Sequence, residues 1–275
     1  MTKQLIDNRI VVKVGTSTLT HENGELNFHS FEKLARVISD VTNGGYEVIL
    51  VSSGAIAVGR SKLRLATAPD QLRIKQAAAA IGQCELMHLY DKFFGEYGKT
   101  VGQILLVSED VERPEIRANL VNTFDSLLEL GVVPIVNEND SVSYAEIEAG
   151  SCGNKLFGDN DTLSAVVAQL CRARLLVLFS DIDGLYDSDP HENSAARLYH
   201  EIHEISDDIL AGAGESGSGR GKGGMITKLQ AAGSNMEAGI DTVITNGSRL
   251  ESIYDVLAGK PVGTLFVGKN KGEAR

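Results

Sequence analysis

Short runs of apolar, β-branched residues alternate along the chain with longer amphipathic or alanine-rich stretches. The short runs predict strands at residues 9–14, 47–51, 101–107, 132–136, 174–179, 242–245 and 264–267. The longer stretches predict helices at residues 28–42, 70–97, 114–130, 161–171, 224–238 and 250–257. Several strands are apolar on both faces, which is typical of a sheet covered by helices on both sides. The alternation predicts an α/β fold in which helices sandwich a mainly parallel sheet.

The composition is that of an ordinary globular protein, with 43% hydrophobic and 23% charged residues. No apolar run approaches the roughly 20 residues that span a bilayer, and the first residues lack a signal-peptide pattern. We therefore expect a cytoplasmic protein. The formal net charge of −11 disfavours nonspecific binding to nucleic acid or membrane surfaces. A bound nucleotide would require locally concentrated positive charge, which directs attention to the lysines near glycine loops.

The three cysteines, Cys84, Cys152 and Cys171, are widely spaced and form no CxxC pair. Disulfides and structural zinc are therefore not expected. Cys84 and Cys171 lie in helix-like sequence, where we expect them to pack as small apolar residues. The six histidines show no metal-binding spacing, so no metal site formed directly by protein ligands is predicted.

A lysine interrupts the first apolar strand. Lys13 is followed by Gly15 and Thr16 at the carboxyl end of the strand, the edge at which open α/β sheets bind ligands. A buried ammonium group is costly without a partner, and an edge-strand lysine that reaches solvent is the alternative interpretation. The adjacent Gly-Thr favours a Lys13 that points over the sheet edge towards a phosphate.

Small residues end the second strand at Ser53 and Gly54. They would let the next helix begin close to a ligand, whose negative charge could accept its free N–H groups. Ser53 also qualifies as a simple helix N-cap, and both interpretations can hold.

Two acidic segments follow the fourth strand and open the next predicted helix. Their polar residues are Asn137, Asn139, Asp140, Asp159, Asn160 and Asp161. Turn formation and helix capping explain one or two of these six residues, so the set predicts a ligand or cation. Ser180 and Asp181 follow the fifth strand, where they form either a plain loop or a contact to the ribose or base of a nucleotide.

The glycine-rich stretch 214–224 runs into a helix whose first turns carry Thr227 and Lys228. Residues 219–224 fit GxGxxG formally, but no strand precedes them as a dinucleotide fingerprint requires. Residues 98–100 resemble the end of a P-loop, yet Phe93 occupies the position of the earlier glycine and a strand follows. What remains is a glycine loop that opens a helix and can bind phosphates.

Together these motifs resemble the amino acid kinase family, and within it the kinases that phosphorylate the side-chain carboxylate of L-glutamate. The matching stretches are residues 12–17, 53–57, 75–83, 136–140, 158–161, 223–225, 227–232 and 262–266. The resemblance implies a three-layer αβα sandwich with ATP and Mg²⁺ as cosubstrates. It also implies a single kinase domain over residues 1–275, whose N-terminal part binds mainly the amino acid and whose C-terminal part binds mainly ATP. Many members carry a further C-terminal PUA domain, which this chain is expected to lack.

The resemblance also assigns roles to individual residues. Lys13 and Lys228 would neutralise the transferring phosphoryl group, and Asp161 would orient both lysines. The implied substrate-binding residues are Ser53, Gly54, Asn137, Asp140, Asp159 and Asn160. The implied ATP-binding residues are Lys13, Gly15, Thr16, Ser180, Asp181, Lys222, Gly223, Gly224, Met225, Ile226, Thr227 and Lys228.

The implied reaction produces L-glutamyl 5-phosphate, the first step of L-proline biosynthesis. Implied partners are L-proline as a feedback inhibitor, a glutamyl phosphate reductase, and further copies of the chain in a dimer or tetramer. The link at 149–157 is longer than is usual in the family.

A glutamate side chain, with a pKa of about 4.3, is already ionised at neutral pH. The reaction therefore needs positioning and charge neutralisation instead of a general base. Two alternatives stay open, namely a related kinase with another acceptor and a non-catalytic amino-acid sensor.

Overall fold

The computed structural model describes residues 5–21, 23–65, 67, 69, 71–142, 159–190, 193, 195–215 and 224–269. Its strands are β1 (Ile6–Val14), β2 (Glu47–Ser52), β3 (Val101–Leu106), β4 (Val133–Glu138), β5 (Ala173–Ser180), β6 (Glu201–Ile202), β7 (Asp241–Asn246) and β8 (Thr264–Phe266). They form one sheet in the order β3-β4-β2-β1-β5-β7-β8-β6. Neighbouring strands are parallel except β7 and β8, which run antiparallel.

Helices cover both faces of this sheet. They are α1 (Thr16–Leu19), α2 (Phe28–Asn43), α3 (Ala55–Lys62), α4 (Leu72–Gly95), α5 (Ser108–Glu112), α6 (Pro114–Glu129), α7 (Asn160–Leu170), α8 (Asp207–Glu215), α9 (Gly224–Glu237) and α10 (Ser252–Leu257). Successive strand residues point to opposite faces, so Val11 packs in one core with α6, α7 and α9, whereas Ile10 and Val12 pack in another with α2 and α4. The predicted three-layer αβα sandwich around a mainly parallel sheet is confirmed. No helix in the described part of the chain is long and apolar enough to cross a bilayer.

The predicted strands and helices are all present, with ends displaced by a few residues. The largest displacement of one end is in the strand predicted at 9–14, which spans Ile6–Val14, and the helix predicted at 70–97 spans Leu72–Gly95. Elements of two to nine residues, namely α1, α5, α8 and β6, were not predicted because they are too short to establish a periodic apolar pattern. The expectation for Cys84 was wrong, since its side chain is exposed, whereas Cys171 is buried as expected.

The strand order places a ligand-binding crevice above β1. This strand lies between β2 on one side and β5 on the other, so the chain connections diverge there in opposite directions. Such a switch point opens a crevice outside the carboxyl ends of the strands. The residues that end β1, β2, β4 and β5 therefore surround one space.

Two glycines bring α3 and α4 into backbone contact. A Cβ added at Gly82 would lie 1.8 Å from the carbonyl oxygen of Ala55, and one added at Gly59 would lie 1.8 Å from that of Ala78. Real Cβ atoms do not approach other atoms so closely, so both positions require glycine. The contact holds α3, which follows the Ser53–Gly54 turn, directly against α4.

Candidate active site

A cleft of about 390 Å³ opens at the carboxyl edge of the sheet. Residues predicted for the substrate, phosphate and nucleotide sites line it together. They are Lys13, Gly15, Thr16, Ser53, Asp159, Asn160, Asp161, Ser180, Asp181, Gly224, Met225 and Lys228. The separate sequence motifs therefore converge on one cavity of the size that a small ligand requires.

The floor of the cleft holds a carboxylate between two lysines. Lys13 is the penultimate residue of β1 and shares the face of Val11, which α7 and α9 cover. Its Nζ lies 2.7 Å from Oδ1 of Asp161, in the first turn of α7, and the Nζ of Lys228 on α9 lies 3.0 Å from Oδ2. All three side chains are buried. The edge-strand alternative for Lys13 is wrong, because β1 is flanked by strands on both sides.

The first turn of α9 fixes the position of Lys228. Its Nζ also donates to the carbonyl oxygen of Gly224, at 3.0 Å. Thr227 Oγ1 donates to Oδ2 of Asp161, at 3.0 Å, and also lies within hydrogen-bond distance of the Gly224 carbonyl oxygen. The carboxylate is thus bound from two elements, and the lysine points into the cleft from the beginning of its helix.

The electrostatics of this group favour an anionic ligand. Burial alone would raise the pKa of Asp161, but the charges and hydrogen bonds of Lys13 and Lys228 outweigh it and hold that pKa below its usual range. Two ammonium groups and one carboxylate give this group one formal positive charge, beside the carboxylates of Asp159, Asp181 and Asp189 that line the cleft further out. A phosphate group can compensate this charge without any proton transfer.

Asn160 joins the cleft to the opposite face of the sheet. Its Nδ2 donates to Ser53 Oγ at 2.8 Å, to Asn137 Oδ1 at 2.9 Å and to the carbonyl oxygen of Ser52 at 3.3 Å. Asn137 in turn donates from Nδ2 to Oε1 of Gln83 on α4, at 3.0 Å. Gln83 lies in one of the stretches that resemble the family, but the sequence predicts no role for it, because a glutamine within an alanine-rich helix gives no signal of its own.

The helix caps differ in part from those predicted. Asp159 caps α7, since its Oδ1 accepts from the backbone N–H groups of Asp161 and Thr162 at 2.7 and 2.9 Å. The expectation of an N-cap at Ser53 was wrong, because the N-cap of α3 is Gly54, with φ at 102°. That left-handed conformation favours glycine, and it turns Ser53 towards Asn160.

Asp140 lies apart from the main cleft. It lines a separate cavity of about 10 Å³ together with Asn139 and Gln83. Ile226 packs against the core that contains Val11. Lys222, Gly223, Gly158 and the link 149–157 lie outside the described residues, so their roles stay predictions.

The cleft extends beyond the residues assigned from the sequence. Ser180 Oγ donates to Oδ1 of Asp181, at 3.0 Å, at the end of β5. Cleft-lining residues without an assigned role include Ser17, Phe179, Ile182, Leu185, Tyr186, Ser188, Asp189, Pro190 and Gly212. Six of these follow β5 directly, within residues 182–190, whereas Gly212 comes from α8, which the apolar pattern did not predict.

Paired lysines around one buried carboxylate, at the carboxyl edge of an αβα sandwich, define a site for phosphate-bearing ligands. Residues 8–246 match the amino acid kinase family, and the chain belongs to that family. Its sequence relatives include glutamate 5-kinases from Clostridium perfringens, 54% identical over 99% of this chain and 100% of the relative, and from Clostridium acetobutylicum, 52% identical over 96% of each.

Solved structures of more distant proteins share the fold. Carbamate kinase from Giardia lamblia bound to AMP-PNP has a TM-score of 0.66 at 16% identity, over 96% of this chain and 99% of that one. UMP kinase from Bacillus anthracis has a TM-score of 0.62 at 17% identity, over 97% of this chain and 98% of that one. At such identities the likeness concerns the fold and not the acceptor.

Proposed function

We propose that this protein transfers the γ-phosphoryl group of ATP to the side-chain carboxylate of L-glutamate. The product would be L-glutamyl 5-phosphate, and the reaction would be the first step of L-proline biosynthesis. The observation that carries the proposal is the buried Lys13–Asp161–Lys228 group at the floor of the cleft. Glutamate 5-kinases that are 50–54% identical to this protein over nearly its whole length support glutamate as the acceptor.

The reaction brings together two anions, the glutamate carboxylate and the triphosphate, which repel each other. The fixed positive charge of the two lysines would reduce this repulsion. An oxygen of the ionised glutamate carboxylate attacks the γ-phosphorus, the bond to the bridging oxygen breaks, and the charge of that bond remains on ADP. The ammonium groups of Lys13 and Lys228 would offset the charge that develops on the phosphoryl oxygens. Asp161 holds both lysines before the ligands arrive, so little reorganisation is needed.

The two substrates would occupy the two ends of the cleft. Ser53 and Asn160, supported by Asn137, Asp140 and Asp159, would bind glutamate, next to the Gly54 turn. The nucleotide end would be formed by Gly15, Thr16, Ser180, Asp181 and the segment Lys222, Gly223, Gly224, Met225, Ile226, Thr227 and Lys228. The lysine group, which includes Lys228 of the nucleotide set, would mark the point where the γ-phosphate meets the acceptor.

Mg²⁺ would accompany ATP instead of occupying a carboxylate cage. Both oxygens of Asp161 are held by lysines, and Oδ1 of Asp159 caps α7. Over the described ranges, no group of three His, Cys, Asp or Glu side chains is arranged to hold a metal. Mg²⁺ keeps several waters and commonly binds through substrate phosphates with one or two carboxylates, so it would reach the site with ATP and add its charge to that of the lysines.

An acceptor panel tests the proposal. ADP release would be measured with glutamate, aspartate, N-acetylglutamate, carbamate and UMP, and hydroxylamine would trap an acyl phosphate as its hydroxamate. We expect turnover and hydroxamate with glutamate alone. Turnover with a different acceptor would show that this molecule, and not glutamate, is the substrate. Glutamate binding without ADP release in the presence of any acceptor would favour a sensor.

The remaining expectations form part of the same proposal. They are a cytoplasmic enzyme with one kinase domain, assembled as a homodimer or homotetramer, inhibited by L-proline and served by a reductase that consumes the labile acyl phosphate. Light scattering of the purified chain tests the assembly. Titration of the glutamate-dependent rate with L-proline tests the inhibition.

A further inference from the structure

A chain of side-chain amides leads from the cleft to α4. Asn160 donates to Asn137, and Asn137 donates to Gln83, at 2.9 and 3.0 Å. Asn137 is 3% exposed, so water contributes little to its hydrogen bonds. Each amide has one donor end and one acceptor end, so the orientation of one member constrains the next.

A backbone carbonyl oxygen and Gln83 fix the two ends of this chain. The carbonyl oxygen of Ser52 can only accept, so Asn160 turns its Nδ2 towards it, at 3.3 Å. Asn137 must then present Oδ1 to Asn160 and Nδ2 to α4, where Gln83 provides the matching acceptor Oε1. Within the described residues, no donor meets Oδ1 of Asn160, and this oxygen is left for a ligand in the cleft.

The supporting side chains come from one face of α4. Ser52 and Asn137 point to the sheet face that α4 covers, because Leu50 and Ile135, two residues earlier in their strands, pack in the same core as Tyr90. Tyr90 lies seven residues after Gln83, two helical turns away, and its hydroxyl is 2.6 Å from Ser52 Oγ. This helix therefore supports both strand ends to which Asn160 is bound.

We infer that Gln83 is a positioning residue that makes the acceptor site select molecules with an α-ammonium group. By accepting from Asn137, it keeps the acceptor oxygen of Asn160, and not its amide N–H, directed at the cleft. An ammonium group donates to that oxygen, whereas an acceptor molecule without one leaves it unpaired. The inference rests on the proposed function, since it concerns the recognition of glutamate.

The effect of a substitution at Gln83 should depend on whether the new side chain accepts hydrogen bonds, donates them or does neither. Gln83→Glu keeps an acceptor, Gln83→Met keeps the size without any polar atom, and Gln83→Lys offers donors alone. With a donor at position 83, Asn137 turns its Oδ1 to α4 and its Nδ2 to Asn160. Asn160 must then either reverse, which sets its Oδ1 against the carbonyl oxygen of Ser52, or lose its hydrogen bond to Asn137. In both cases its Oδ1 is no longer fixed in the cleft.

The test compares glutamate with glutarate, which lacks the α-ammonium group. We would measure kcat and KM for both acceptors, and KM for ATP, in the wild type and the three variants. The ratio of kcat/KM for glutamate to that for glutarate should be retained in Gln83→Glu. It should fall about tenfold or more in Gln83→Met and further in Gln83→Lys, because a polar group left unpaired is what gives such sites their discrimination. KM for ATP should stay within about twofold. Gln103→Met, at an exposed position in β3, is the matched control.

The outcomes separate the two proposals. If the wild type phosphorylates no glutamate, the proposed function fails and this inference falls with it. If the wild type is active but Gln83→Met and Gln83→Lys keep its discrimination ratio, the proposed function stands and the inference is overturned. Equal losses in Gln83→Glu and Gln83→Lys would show a packing role only. If either Gln83→Met or Gln83→Lys fails to fold, the other, compared with Gln83→Glu, still decides the question.

Discussion

Replacing Asp161 by Asn removes the negative charge between two buried lysines at nearly constant volume. Lys13 and Lys228 are 7% and 8% exposed, so water cannot take over the role of the carboxylate. Their Nζ atoms lie 2.7 and 3.0 Å from its oxygens. The substitution would leave two ammonium groups without a counter-ion in a site of low dielectric constant.

The size of the effect follows from this burial. Breaking a buried ion pair by removing one partner costs about 3–5 kcal/mol, because the remaining charge stays buried without compensation. For a domain of this length, each kcal/mol lowers Tm by about 2–3 °C. We therefore expect Asp161→Asn to lower Tm by about 6–15 °C.

Thermal unfolding with and without ATP measures this effect. The triphosphate supplies the missing negative charge, so saturating ATP should raise Tm more in Asp161→Asn than in the wild type. Activity should still fall, because the lysines lose the group that orients them. Asp255→Asn is the matched control, since Asp255 also pairs with two cations, Lys260 at 2.8 Å and Arg249 at 3.2 Å.

Both cations around Asp255 are exposed and remain hydrated when the carboxylate is lost. The control should therefore leave Tm and activity essentially unchanged. If Asp161→Asn lowered Tm no more than the control does, or if ATP stabilised Asp161→Asn less than the wild type, the assignment of Asp161 as the counter-ion of the cleft would be refuted.

Three further predictions concern the same site. Lys13→Ala and Lys228→Ala should each lower kcat by about a hundredfold or more with little change in glutamate affinity, and near-normal turnover would contradict the assignment. Gly82→Ala should destabilise the fold by at least about 2 kcal/mol and raise KM for glutamate, because the new Cβ would lie 1.8 Å from a backbone carbonyl oxygen. Denaturant unfolding measures the loss of stability. Gly95→Ala is the control, since a Cβ at Gly95 has nothing within 4 Å. Because the pKa of Asp161 is lowered, its contribution to stability should be fully present above about pH 4 and be lost only as pH falls further. The difference in Tm between the wild type and Asp161→Asn should accordingly shrink only in that acidic range.

The lysine group was largely predictable from the sequence. Lys13 lies in a strand that is otherwise apolar. The ammonium group of such a lysine needs either a buried counter-ion or contact with solvent. The Gly15-Thr16 pair that follows Lys13 at the strand end favoured a functional lysine over the edge of the sheet. The interpretation that Lys13 is functional needed no knowledge of tertiary contacts, whereas its pairing with Asp161 came from the family resemblance.

Other features depended on contacts that no local pattern encodes. Gln83 and Asn137 are 54 residues apart and meet because β4 ends against α4. Ser53 has the side chain of an N-cap, but the left-handed turn at Gly54 displaces it from that role. Cys84 lies in a helix of mixed pattern, and the side of α4 that faces solvent became apparent only from its packing.

The glycine contact between α3 and α4 bears on how this protein can change over time. Where helices are separated by side chains, successive exchanges of large and small residues can shift their spacing gradually. Here the main chains meet at Gly59 and Gly82 without side chains between them, so exchanges in the surrounding core offer no simple way to change that distance. We therefore expect new acceptor preferences to arise more readily by exchanges at the strand ends than by movement of the helix pair.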